Sequence, residues 1–255
     1  MLRPIDWSFL FVPFLYFIAV CLAAILLTPV RFFVHDKKDA SLLQITGLVS
    51  NTGNLGIPLA LFLFGPESVP YTAMINLANG IFILTFGAYR YSRGKFSIKK
   101  SLLNVLKLPT IWSAFLAICW QLLEWDFPSI LMKPLEMAAY STMVIQLMIF
   151  GMFIATLHRK SMDLKHISFI QITKFVLVPL TVLLLAKQVT LPVLALHCLF
   201  IQSIMPIAVN NMNLSALYDC HPQKVAMQAI ISTIIVFLLL PFLLSNKILS
   251  LISLF

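Results

Sequence analysis

Two short stretches place polar and helix-breaking residues where the surrounding chain is strongly apolar. The first reads S-N-T-G-N-L-G-I-P-L-A over residues 50–60, and the second reads Q-S-I-M-P-I-A-V-N-N-M-N-L-S-A-L over residues 202–217. Their candidate site residues are Asn51, Asn54, Pro58, Pro206, Asn210 and Asn211. Asparagine side chains offer neutral hydrogen-bond donors and acceptors, whereas proline and glycine interrupt a helix. Each stretch therefore predicts a helix that is interrupted near its middle.

An interrupted helix inside a membrane creates a binding site for an anion. The first N–H groups after the interruption lack helical partners and carry partial positive charge, which suits a carboxylate. Paired interruptions in corresponding places of two halves are typical of the midplane substrate site of an inverted-repeat transporter. The alternative interpretation is that these asparagines only join neighbouring helices by hydrogen bonds. The matching of the two stretches favours the substrate site.

The composition is that of a membrane protein. Hydrophobic residues make up 60% of the chain and charged residues 11%, whereas a soluble domain has about 25% charged residues. The mean hydropathy is +0.97. Apolar runs of about 20 residues, enough to cross a hydrocarbon core of about 30 Å, recur along the chain without the alternation of a membrane β-barrel. The predicted fold is an all-α membrane bundle.

Eight membrane spans are predicted, with the two polar stretches in the second and the seventh. They are Trp7–Val30, Ser41–Phe64, Pro70–Tyr91, Ser101–Leu123, Ser129–Leu157, Ile167–Ala186, Leu191–Tyr218 and Val225–Leu244.

The distribution of lysine and arginine predicts the orientation of these spans. Of 18 such residues, thirteen lie in alternate connections. These are Arg31, Lys37, Lys38, Arg90, Arg93, Lys95, Lys99, Lys100, Lys107, Arg159, Lys160, Lys165 and Lys224. By the positive-inside rule they face the cytoplasm, so both termini lie outside. Because topology explains the net charge of +9, the charge does not indicate a nucleic-acid partner.

Lys174 is the basic residue that lies well inside a span, in Q-I-T-K-F-V-L-V-P-L. An ionisable residue inside a membrane span is a candidate functional residue, and its ammonium could attract an anion. Alternatively, its long side chain could reach the cytoplasmic interface. Both interpretations remain open at this stage.

The two polar stretches resemble the paired signatures of the auxin efflux carrier family, which includes bacterial malate or malonate permeases. The similarity rests on N-T-G-N-L-G-I-P-L in the second span and P-I-A-V-N-N-M-N-L-S-A-L-Y in the seventh, with support from L-K-L-P-T-I-W and S-T-I-I-V-F-L-L-L-P. The resemblance implies two inverted five-helix repeats, whose fourth and ninth helices are interrupted and cross at the substrate site. Our second and seventh spans would be those two helices, so the first two helices of the family are expected to be absent here.

The resemblance also implies that the chain is divided into a transport domain and a scaffold domain. Residues 1–91 would be the remnant of the first repeat, residues 101–157 scaffold helices that also form a homodimer, and residues 165–245 the second half of the transport domain. It implies a secondary carrier that exports or exchanges a small organic anion across a bacterial inner membrane. The transport domain would rock or slide against the scaffold. Asn51, Asn54, Pro58, Pro206, Asn210 and Asn211 would surround the crossing.

Other functions remain open. The interrupted spans could form a fixed pore or a ligand sensor, which makes a channel-like or sensory protein the main alternative. An inactive truncated carrier is the third possibility, because two scaffold helices are expected to be missing. The four cysteines lack metal-ligand spacing, and the H-E-x-x-H and G-x-S-x-G motifs are absent. The sequence therefore predicts no cofactor, no metal and no enzyme activity.

Overall fold

The protein is built from α-helices throughout the part of the chain that can be described. The computed structural model describes residues 7–123, 128–155 and 164–243, which form helices and no β-strand. The helices are α1 (Trp7–Leu26), α2 (Val30–Phe33), α3 (Lys37–Ile45), α4 (Ile57–Phe64), α5 (Ser68–Phe82), α6 (Ala88–Arg93), α7 (Ile98–Leu106), α8 (Pro109–Leu122), α9 (Ser129–Ala155), α10 (Leu164–Ile172), α11 (Val178–Ala186), α12 (Val193–Ser203), α13 (Asn210–Leu217) and α14 (Pro222–Leu243).

Four helical stretches among the described residues are long and apolar enough to cross a membrane. They are Phe11–Phe33, Ser68–Arg93, Leu164–Ala186 and Pro222–Phe242. Two shorter apolar helices, Thr52–Phe64 and Val193–Ser203, belong to the predicted second and seventh spans. The all-helical membrane class predicted from the sequence is confirmed, whereas the eight spans and the inverted repeat stay predictions.

Some parts of the sequence-based prediction fall on residues that lie outside the described ranges. These are the predicted span ends Leu157 and Leu244 and the cations Arg3, Arg159, Lys160 and Lys247.

Helix α1 lies at the centre of the main core. Val12, Tyr16, Ala19 and Ala23 repeat every three or four residues and are fully buried, against α5, α11 and α12. The alanines let neighbouring backbones approach closely, as small residues do in membrane helix packing. The opposite face of α1 is exposed and apolar, with Phe14 66% exposed. A helix that is apolar all round is expected where one face meets lipid.

Wide π-helical turns interrupt the helices, and two of them directly precede a proline. Thr52–Gly56 leads into α4, which carries Pro58 in its first turn, and Thr173–Leu177 joins α10 to α11, which begins near Pro179. Proline lacks an N–H and its ring collides with the carbonyl one turn earlier, so the preceding turn widens.

The position of the interruption differs from the one that Pro58 suggested. Helix α3 ends at Ile45, and the chain leaves α-helical geometry over residues 46–51, upstream of the proline. Pro58 widens a turn rather than separating two half-helices. In the seventh span, Pro206 does lie inside the non-helical segment between α12 and α13.

The predicted scaffold helices pack at the side of this core. Helix α7 contacts α6, α8 contacts the wide turn Ile83–Gly87, and α9 contacts α14. The division into transport and scaffold domains stays a prediction.

Charged residues tie the start of α3 to the connection between α13 and α14. Lys38 Nζ lies 2.8 Å from Asp219 Oδ2, and Lys224 Nζ lies 2.5 Å from Asp39 Oδ1. The hydrogen bond from Lys38 lowers the pKa of the Asp219 carboxyl below its usual value. Because these side chains are only partly buried, the ion pairs fix the relative position of the two connections more than they stabilise the fold.

Gly47 sits in the short helical turn Thr46–Leu48, directly against α10. A β-carbon there would lie 2.8 Å from the carbonyl oxygen of Ile170 and 2.9 Å from Cγ2 of Thr173. We therefore expect Gly47→Ala to destabilise the protein by about 1–3 kcal/mol through overpacking, measured as a lower thermal unfolding midpoint in detergent. Gly151→Ala is the control, since no atom lies within 4 Å of its β-carbon position. Equal midpoints for Gly47→Ala and the wild type would show that the close approach does not exist.

Candidate functional site

The two interrupted segments cross and pair with each other through their backbones. The Asn51 N–H donates to the Pro206 carbonyl at 2.7 Å, and the Ala208 N–H donates to the Val49 carbonyl at 3.0 Å. Between these bonds, Ser50 and Ile207 face each other in antiparallel register. Each bond satisfies a donor and an acceptor that would otherwise be unpaired in an apolar interior, where such groups are costly. The crossing of two interrupted helices therefore has a specific physical basis.

Side chains from neighbouring helices complete the hydrogen bonding at the crossing. Asn79 Nδ2 donates to the Ser50 carbonyl at 2.8 Å, and the Tyr16 hydroxyl donates to Ser50 Oγ at 3.1 Å. In the other interrupted segment, the Ile207 N–H donates to Ser232 Oγ at 2.9 Å. The crossing is thus held from α1, α5 and α14 at once.

Lys174 reaches the crossing from the wide turn between α10 and α11. Its side chain is fully buried, and Nζ donates to Ser50 Oγ and, at 2.8 Å, to the Ser203 carbonyl. Ser203 is the last residue of α12, and a cation at a helix C-terminus is stabilised by the helix dipole. Since the side chain is buried, it does not extend to the cytoplasmic interface.

A cavity of about 210 Å³ lies beside the crossing. Its wall combines the interrupted segment before α4, the middle of α5 and the start of α13. The polar residues of the wall are Ser50, Asn51, Thr52, Asn54, Asn76, Asn79 and Asn210. None of the described residues that line it carries a charge. The site is therefore neutral, polar and rich in amides.

Some of these polar side chains are occupied and others are available. Thr52 Oγ1 donates to Asn76 Oδ1 at 2.8 Å, and Asn79 Nδ2 donates to Thr52 Oγ1 at 3.1 Å as well as to Ser50. By contrast, no hydrogen bond joins the side-chain amide of Asn51 or Asn210 to any described residue. A ligand in the cavity would meet these two amides unoccupied, together with Asn79 Oδ1, which is buried and has no hydrogen-bond partner among the described residues.

Two helix starts also open at this cavity. The hydrogen bonds of the wide turn begin at the Gly56 N–H, which donates to the Asn51 carbonyl at 3.1 Å, so the N–H groups of Thr52 and Gly53 have no partner within the turn. Helix α13 begins at Asn210. Both starts contribute partial positive charge to the cavity.

Asn51, Asn54 and Asn210 therefore lie on the wall of one cavity, although they come from different halves of the chain. The other four candidate residues do not line this cavity, and their part in a substrate site stays a prediction. Pro58 lies in the first turn of α4, Pro206 accepts the Asn51 N–H, and Lys174 lies behind Ser50.

Asn211 has a structural role. It is fully buried, its Oδ1 accepts a hydrogen bond from the Tyr91 hydroxyl at 3.0 Å, and its Nδ2 donates to the Thr46 carbonyl at 3.4 Å. This is the helix-joining interpretation that was open for the asparagines. Adjacent residues on a helix point about 100° apart, so Asn210 faces the cavity and Asn211 faces away.

Sequence reasoning missed Asn76 and Asn79. Both lie in I-N-L-A-N-G-I of the third span, where no neighbouring proline marks an interruption. A sequence pattern could have identified them, because two asparagines three residues apart lie on the same face of an apolar helix. Gly80 and Ile83 line the same cavity wall.

The sequence model of the membrane transport protein family matches residues 4–244 of the chain. The chain belongs to this family. It is the auxin efflux carrier family that the paired motifs of the second and seventh spans resemble, so that resemblance is confirmed. The protein is also similar to an uncharacterized transporter of Methanocaldococcus jannaschii, with 25% identity over 233 residues that cover 86% of this chain and 72% of the relative. Membership of the membrane transport protein family gives the class of protein, a multi-pass membrane transporter.

Lys174 provides a test of how the crossing is held. Lys174→Met removes the ammonium and leaves the Ser203 carbonyl without its 2.8 Å partner. Because a hydrogen bond to a charged group contributes about 1.5–3 kcal/mol, we expect a lower thermal unfolding midpoint, by about 3–12 °C for a chain of this size. Lys99→Met, at an exposed position, is the control and should unfold like the wild type. If both variants unfold at the wild-type temperature, Lys174 does not hold the crossing.

Proposed function

We propose that this protein is a secondary carrier that binds a small organic anion in the cavity beside the crossing. The observation that carries this proposal is the convergence of two unoccupied amides, Asn51 and Asn210, and two helix starts on one cavity. The second span supplies Asn51 and one helix start, and the seventh span supplies Asn210 and the other. A carboxylate group could accept hydrogen bonds from the two amides and from the N–H groups of Thr52 and Gly53. At the start of α13, the Asn211 and Met212 N–H groups already donate to the Ala208 and Val209 carbonyls, so this start contributes mainly its partial positive charge.

The size of the cavity favours a small substrate. Its volume of about 210 Å³ lies below the range of about 300–1,000 Å³ that is usual for drug-sized ligands. Malonate, a small dicarboxylate, is a suitable probe because the family resemblance implies permeases for such acids.

The electrostatics favour an anion over a cation. A helix start carries about half a positive elementary charge, and two such starts meet here. Lys174 lies behind Ser50, whose atoms form part of the wall, and its protonated form adds positive charge there. Among the described lining residues there is no carboxylate that would balance these charges. The neutral wall also keeps the site from holding an anion so tightly that it could not leave.

The location of the site supports a moving transport domain. Every described residue that lines the cavity or donates or accepts a hydrogen bond at the crossing belongs to residues 1–91 or 165–245. The predicted scaffold, residues 101–157, contributes none of the described ones. The site would therefore move as one unit if these two segments rocked or slid against the scaffold.

In this proposal the chain has eight spans of an inverted-repeat carrier, dimerises through the scaffold and spans a bacterial inner membrane with both termini outside.

Asn51→Ala and Asn210→Ala test the site directly. Each removes one unoccupied amide, and loss of a hydrogen bond to a charged ligand costs about 1.5–3 kcal/mol, which is about 10- to 100-fold in affinity. We expect malonate binding to the purified variants, measured by calorimetry, to weaken by that factor. Asn213→Ala is the matched control, since Asn213 lies one turn further along α13 and does not line the cavity. Wild-type binding in both test variants would remove these residues from the site.

Gly80→Leu tests the cavity itself. Gly80 lies on its wall, and no atom lies within 4 Å of its β-carbon position, so a leucine there should enter the cavity without disturbing the fold. We expect unchanged thermal stability and loss of malonate uptake into proteoliposomes. In the wild type this uptake should saturate and exchange with internal malonate, whereas unsaturated conductance would indicate the channel-like alternative. Gly151→Leu, at an exposed position, should transport normally. Full uptake by a folded Gly80→Leu variant would show that the substrate does not use this cavity.

A further inference from the structure

A second cavity, of about 410 Å³, lies between α2, α3, α6 and the start of α7. It is lined by basic side chains from two connections that are far apart in sequence. These are Arg31, His35, Lys37, Arg90 and Arg93. No aspartate or glutamate is among its described lining residues. The cavity therefore concentrates positive charge from two separate parts of the chain.

The acidic residues nearest in sequence are engaged elsewhere. Asp36 Oδ2 lies 3.2 Å from His221 Nε2, and Asp39 Oδ1 lies 2.5 Å from Lys224 Nζ. Both partners belong to the region between α13 and α14. The basic side chains of the cavity are thus left without a described counter-charge on its wall.

Arg90 is the residue that indicates a ligand. Its Nε is buried and has no hydrogen-bond partner among the described residues. A buried donor without a partner is uncommon and costly. Like charges that converge repel one another, so a bound anion would stabilise both the donor and the cluster. The retention of positive charge on one side of the membrane explains the number of basic residues, but it does not explain their convergence or the unpaired Nε.

The position of this cavity, at the ends of two candidate membrane spans, indicates which anions could reach it. Arg31 lies near the end of the candidate membrane span Phe11–Phe33, and Arg93 ends the span Ser68–Arg93, so both lie where lipid headgroups are expected. Phe32 and Phe33 beside the cavity are 71% and 82% exposed. Exposed aromatic side chains next to basic ones fit the boundary between acyl chains and headgroups.

We propose that this basic cavity binds the phosphate group of an anionic membrane lipid. Arginine side chains suit phosphate because their planar N–H groups can donate in pairs. The shared chemistry is a phosphate oxyanion, which a free phosphate in the cytoplasm could also supply. The proposal is independent of the substrate of the transporter, because the cavity shares no lining residue with the one beside the crossing.

Native mass spectrometry of the purified full chain tests this proposal. The protein is mixed in separate arms with phosphatidylglycerol, with phosphatidylcholine and with phosphatidylglycerol plus excess inorganic phosphate. We expect bound phosphatidylglycerol, little phosphatidylcholine, and no displacement by inorganic phosphate. Arg31→Gln/Arg90→Gln should lower the apparent affinity for phosphatidylglycerol by about tenfold, since each basic residue near an anionic headgroup contributes to binding.

Lys99→Gln/Lys107→Gln is the matched control, because it removes the same charge from two exposed lysines that do not line the cavity. It should bind phosphatidylglycerol like the wild type. Arg31→Gln alone, at an exposed position, keeps the test valid if the double variant does not fold, and it should also bind more weakly. Equal binding of the two lipids, or wild-type affinity in folded Arg31→Gln, would overturn the proposal. Displacement of the lipid by inorganic phosphate would contradict the claim that the cavity binds a lipid, and would indicate a site for free phosphate.

Discussion

The structure depends on one constraint: backbone groups inside a membrane need hydrogen-bond partners, and an interrupted helix leaves some of its own without them. Here the two interrupted segments satisfy each other. The Asn51–Pro206 and Ala208–Val49 bonds form a minimal antiparallel pair, so neither interruption is tolerable without the other. This mutual dependence explains why the sequence carries two matching polar stretches that are about 150 residues apart.

The same constraint leaves specific groups available for a ligand. Asn79, Tyr16 and Lys174 satisfy the Ser50 side of the crossing and the end of α12. The groups that remain unoccupied on the cavity wall include the side-chain amides of Asn51 and Asn210, the buried Asn79 Oδ1, and the N–H groups of Thr52 and Gly53. The groups that hold the backbone and the groups that we propose for the substrate are thus different, although they lie within a few residues of each other.

The sequence predicted the membrane class, the family and three of the cavity residues, because proline, glycine and asparagine in an apolar run mark an interrupted helix whose polar groups need partners. It did not distinguish Asn210 from Asn211, since that depends on which way each residue points on α13. Asn76 and Asn79 were missed because their helix has no interruption at that point. The roles of Lys174 and Arg90 arise from side chains that meet residues distant in sequence, and no local pattern encodes such meetings.

The most direct test of the central claim is an experimental structure of the protein with malonate bound. The account predicts density for the dicarboxylate in the cavity beside the crossing, within hydrogen-bond distance of Asn51 and Asn210, while the Asn51 N–H still donates to the Pro206 carbonyl. Malonate bound at another place, or residues 46–51 and 204–209 in unbroken helices that do not pair, would contradict it.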